Sequence, residues 1–147
     1  MDFDSILKKS LTVVNDGFQD ALTDLKGVVE AVSESVKNNA GQKFALALGE
    51  VSNDLRGSTF RVFFDTDVNN VRARIIDVLY FRIPASGYPI FEGQYDKGSK
   101  NFSAGKELKD KDSIAQEFGS LLRNPDSSLI QAIGYAMRTK DDDDIPF

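Results

Sequence analysis

The chain has 147 residues, a formal net charge of −5 from 18 Lys and Arg against 23 Asp and Glu, and no Cys, His or Trp. With 41% hydrophobic residues it can bury the core of one domain. The missing Cys and His exclude disulfides, zinc sites, thiol nucleophiles, Ser-His triads and imidazole acid–base chemistry, and the acidic balance argues against nucleic-acid binding by bulk charge.

No stretch approaches ~18 consecutive apolar residues, and residues 1–9 lack the basic start and apolar run of a signal peptide. The expectation is a cytoplasmic protein with no membrane segment. Its charge is unevenly placed. Residues 1–55 sum to −4, residues 56–111 to +3 and residues 112–147 to −4.

Apolar residues recur at Phe3, Leu7, Leu11, Val14, Phe18, Leu22, Leu25, Val29, Val32 and Val36. The mean step of about 3.67 residues is one stripe of an α-helix, with the eleven-residue repeat of a nearly straight one. Asn15-Asp16-Gly17 is a turn-forming triplet inside the stripe, and Gly27 weakens it again. This predicts two helices or one kinked helix packed on the core, with a helix that self-associates as the other reading. Asn38-Asn39-Ala40-Gly41 supplies the stop.

Residues 43–50, 59–66, 71–83 and 90–95 are rich in β-branched and aromatic side chains and are separated by short turn-like links. Such links predict an antiparallel meander of four strands. Residues 96–105 are polar and glycine-containing and read as an exposed loop. Asp112 or Ser113 then caps a helix with Ile114, Phe118, Leu121 and Leu122 on one face. Asn124-Pro125 ends it and puts Pro at the first position of a last helix, which extends to about Arg138. The sum is one α+β domain over residues 1–140: a long N-terminal helix (or two), a four-stranded antiparallel meander and two C-terminal helices on one sheet face.

Alternation leaves Arg61, Phe63, Arg72, Arg74, Tyr80 and Arg82 on the open sheet face. Aromatic rings interleaved with arginines hold single-stranded nucleic acid by base stacking and phosphate pairing, so these six are the nucleic-acid candidates. Asp65, Asp67, Asp77 and Glu92 are the carboxylates from which a magnesium site would be drawn, but their spacing matches no compact nuclease signature. Asp77 falls on a mostly apolar face, where it calls for an arginine partner. The expectation is a protein without catalysis, metal or cofactor.

The sequence ends Asp141, Asp142, Asp143, Asp144, Ile145, Pro146, Phe147. Phe147 offers an apolar anchor for a pocket with a basic rim, Ile145 a second apolar contact, and Pro146 a pre-set backbone that lowers the ordering cost. The aspartates repel one another, which favours an extended strip steering toward a basic ridge. This order strongly resembles the acidic C-terminal tip of bacterial single-stranded DNA-binding proteins, down to Ile-Pro-Phe. The resemblance covers residues 141–147 alone. It implies a docking peptide for replication, recombination and repair enzymes, and one that competes with DNA for the family's own binding surface. That family's body is an oligonucleotide-binding β-barrel followed by a long flexible linker, unlike residues 1–140.

These residues predict a small DNA-metabolism protein of a bacterial cell or phage-infected host. Residues 141–147 are its partner site and the Arg/aromatic face its contact with single-stranded DNA. The alternative is a phage- or plasmid-type inhibitor that mimics the tip as a decoy without binding DNA. A homo-oligomer formed through the N-terminal helix is the third expectation.

Overall fold

The computed structural model describes residues 1–41, 44–65 and 75–143. Its elements run α1 (Phe3–Ala40), β1 (Ala45–Asp54), β2 (Gly57–Asp65), β3 (Ile75–Pro84), β4 (Ile90–Asp96), β5 (Asn101–Leu108), α2 (Lys111–Arg123) and α3 (Ser128–Asp143). The α+β class, the long first helix and the two last helices are as the sequence predicts. The sheet has five strands rather than four.

Asp2 starts α1 by accepting from the Ser5 backbone N–H at 3.1 Å, and Gly41 ends it with φ 135° and its N–H on the Lys37 carbonyl. Between them lie 38 residues of one helix, about 57 Å long. The Asn15-Asp16-Gly17 triplet does not break it. Gly17 serves instead where α1 crosses the β3–β4 turn backbone to backbone: a Cβ there would overlap the Ser86 carbonyl oxygen. The Tyr88 hydroxyl fastens the crossing by donating to Asp24 Oδ2 at 2.8 Å. Past that point the stripe sinks into the core through Ala21, Leu25, Val28, Val29, Val32 and Val36.

The strands form an antiparallel meander in the order β1-β2-β3-β4-β5. Residues 101–108, expected in part as loop, are the fifth strand. Their sequence Asn-Phe-Ser-Ala-Gly-Lys-Glu-Leu has no β-branched residue, and only Leu108 is buried. The ladder to β4, from Ile90 opposite Leu108 to Asp96 opposite Asn101, makes the strand, as an edge needs little side-chain burial. At the other edge the Ser33 hydroxyl on α1 accepts the Leu46 N–H at 3.0 Å, so a buried strand donor is satisfied by the covering helix.

One sheet face packs Phe60, Val62, Phe64, Leu79, Phe81, Ile83 and Ile90 against α1, against Ile114 and Phe118 of α2, and against Leu129 and Ala132 of α3. Two helix starts differ from expectation. Asp110, rather than Asp112 or Ser113, caps α2 by accepting from the Ser113 N–H at 2.8 Å. Pro125 does not open α3, because the Asn124 side chain accepts from the Asp126 N–H and folds residues 124–127 into a turn. Ser127 caps α3 by accepting from the Ile130 N–H. The helix then continues past Arg138 to Asp143, since nothing before Pro146 interrupts its ladder. Asp141, Asp142 and Asp143 therefore lie in its last turn and are not an extended strip. Among the described residues no helix is long and apolar enough to cross a membrane.

Candidate nucleic-acid interface

The open sheet face is organised by a bulge. Phe63 stands opposite Asp77 and Val62 opposite Leu79, so Val78 is an extra residue in β3. Strict alternation puts Asp77 on the covered face with Leu79 and Phe81. The inserted Val78 moves it to the open face, beside Arg61 and Tyr80. α3 braces the bulge, with the Ser128 hydroxyl donating to the Val78 carbonyl at 3.1 Å.

Asp77 is the hub of this face. Its Oδ1 accepts from Arg61 Nη1 at 3.1 Å, and its Oδ2 lies 2.7 Å from both the Tyr80 hydroxyl and Lys97 Nζ. Burial raises the pKa of its carboxyl, but the hydrogen bonds from Lys97 and Tyr80 and the charges of Lys97 and Arg61 outweigh that and hold it below the usual range. Tyr80, raised by burial and by its bond to Asp77, stays a neutral donor. Arg61 lies 4.4 Å from the centre of the Phe63 ring, a cation–π contact, and the Tyr80 and Tyr95 rings lie 5.5 Å apart. At the far end, Arg82 Nη2 binds Asp54 Oδ1 at 2.7 Å.

The structure thus brings Arg61, Phe63 and Tyr80 together, with Arg82 further along the same face. Arg72 and Arg74 lie outside the described residues. Alternation missed Phe91, Tyr95, Lys97 and Phe102. Phe91 stands opposite Arg82 and Tyr95 opposite Phe102, all on the open side. The spacing of Phe91, Gly93 and Tyr95 signals this face, but only once residues 101–108 are read as a strand. Glycines flatten it: a Cβ at Gly93 would sit 2.8 Å from Phe102 Cζ, and one at Gly49 3.3 Å from Phe63 Cε1, so both rings lie across backbone.

No family model, curated protein or solved structure matches the chain.

Among the described residues this broad aromatic face carries three cations, Arg61, Lys97 and Arg82, against three carboxylates, Asp77, Asp54 and Glu107, which stands opposite Phe91. It offers planar stacking surfaces whose described charges balance, and its guanidiniums are already held. The suggested magnesium carboxylates do not converge: Asp77 is on the open face, while Glu92, opposite Phe81, is on the covered one. Among the described residues no three carboxylates come together as a metal site. Asp67 and the Asp65 side chain lie outside the described residues, as do Asp144, Ile145, Pro146 and Phe147.

Proposed function

We propose that this chain is a non-enzymatic accessory protein of DNA metabolism. Residues 141–147 dock onto genome-maintenance proteins that read the tip of single-stranded DNA-binding proteins, and the open sheet face holds single-stranded DNA by stacking. The residue order from Asp141 to Phe147 carries the reading. Support from the fold is the aromatic face of Phe63, Tyr80, Phe91, Tyr95 and Phe102, since each stacked base contributes about 1–3 kcal/mol whatever its identity.

Proteins captured from a bacterial lysate should be released by free Asp-Asp-Asp-Asp-Ile-Pro-Phe peptide and be missing when Phe147 is deleted. Capture unchanged by the deletion ends the docking reading. A labelled single-stranded oligonucleotide should bind with shallow salt dependence, because Arg61 and Arg82 already have carboxylate partners. Tyr95→Ala should weaken that binding about fivefold or more.

Those same two ion pairs favour a second reading, the decoy. If the arginines never leave Asp77 and Asp54, the body has little charge to offer phosphate, and the tip alone engages repair or defence enzymes. Absence of oligonucleotide binding at low salt, with capture intact, selects the decoy.

A further inference from the structure

α1 leaves the body before it runs out of apolar residues. Ahead of the Gly17 crossing, Phe3 is 72% exposed, Leu7 57%, Leu11 58% and Val14 42%, and beside this stripe Ile6 and Val13 are 53% and 69% exposed. Patches of this kind on a helix mark an interface. Next to the arm, between α1 and the β1–β2 hairpin, runs a groove of about 1080 Å³ with an apolar lining of Leu11, Val14, Phe18, Leu22, Leu48 and Phe60.

The stripe reads the same in both directions. About a midpoint between Thr12 and Val13, Phe3 mirrors Leu22, Leu7 mirrors Phe18, and Leu11 mirrors Val14. Two copies of this helix laid antiparallel about that point match apolar residue to apolar residue from Phe3 to Leu22, which is the condition for an isologous two-fold contact. We infer that the chain dimerises this way, the arm of each copy lying along Leu11 to Leu22 of the other and filling its groove.

Three observations choose a second copy as the occupant. The mirror symmetry is a property of this helix alone. Charge fits where the mirror can be read: it sets Lys9 of the arm opposite Asp16, which lines the groove. Area fits too. Six exposed apolar side chains give each arm roughly 500 Å², and with the groove walls covered in return the pair passes the ~1,000 Å² of a specific interface. The dimer also accounts for Ile6 and Val13. They lie on the helix row that leads to Gly17, which meets the β3–β4 turn, and in the proposed dimer that row of the arm turns to the hairpin wall of the filled groove.

Light scattering on the full chain should give twice its 16.2 kDa mass. Leu7→Asp, on an exposed position, should give the monomer with unchanged circular dichroism. Orientation can be read by cysteine cross-linking, since the chain has no Cys of its own. Leu7→Cys mixed with Phe18→Cys should form a disulfide between the two variants, and Leu7→Cys alone should not cross-link. A monomeric wild type, a dimer indifferent to Leu7→Asp, or efficient self-cross-linking of Leu7→Cys (the parallel arrangement) would each overturn the inference.

Discussion

Glu92 is the residue most at odds with its surroundings. It stands on the covered face, with Oε2 buried and without a hydrogen-bond partner. Burial, and then the hydrogen bond and charge of Glu117, push its pKa up to about 8, which Lys106 offsets only in part. Glu117 is itself buried and holds Lys106 Nζ at 3.3 Å. The folded chain thus keeps a proton on Glu92 that the unfolded chain gives up near the ordinary value of ~4.3. Between those two values the native state binds more protons, so the Glu92 contribution to stability falls as pH rises through the window. Glu92→Gln cannot ionise. Its advantage over the parent should grow by about 1–2 kcal/mol between about pH 5 and about pH 8, a figure reduced for partial exposure. Urea midpoints at the two pH values measure this, and an equal effect at both would refute it. Asp77 marks how far residues alone can be read. The sequence shows an acid on an apolar face in need of an arginine, and Arg61 answers it, but Val78 is an ordinary strand residue and gives no sign of the bulge that brings the pair together.

At the scale of elements, what could be read follows from periodicity. The α1 stripe, four strands and both last helices have one, whereas β5 exists through its ladder to β4 and little else. The cap of α2 and the start of α3 fall a few residues from where the sequence predicts them because several neighbouring Asp, Ser and Asn residues can each cap or turn. Glycine in α1 shows the difference most plainly, since sequence treats Gly17 and Gly27 alike as weak points. A Cβ on Gly17 meets the Ser86 carbonyl, whereas one on Gly27 finds only the movable end of Lys111, 3.6 Å away. Gly27→Ala should therefore stabilise by about 0.5–1 kcal/mol through helix propensity. Gly17→Ala should destabilise by about 1–3 kcal/mol despite the same gain, because backbone has to move. Thermal denaturation of the two variants should show shifts of opposite sign. Shifts of the same sign would mean that α1 does not press on the β3–β4 turn.

For the whole molecule, charge layout decides more than total charge. The mildly basic middle segment lies between two acidic ones, and four of the aspartates sit at and beyond the C-terminal end of α3. Negative charge there opposes the helix dipole, at about 0.3–1 kcal/mol per residue within the last turn. The run thus weakens the helix that carries it, which fits the docking proposed for residues 141–147. At low salt the screening length grows to ~30 Å, comparable to a small domain, so charge on one part of the chain is felt across it. Replacing Asp141, Asp142, Asp143 and Asp144 by Asn takes the formal net charge from −5 to −1 and keeps the length and Ile145-Pro146-Phe147. The variant should bind a labelled single-stranded oligonucleotide several-fold more tightly than the parent at low salt, with the advantage fading as salt rises. Its stability should be equal or slightly greater. An affinity that does not change at low salt would mean that the acidic run leaves the aromatic face alone.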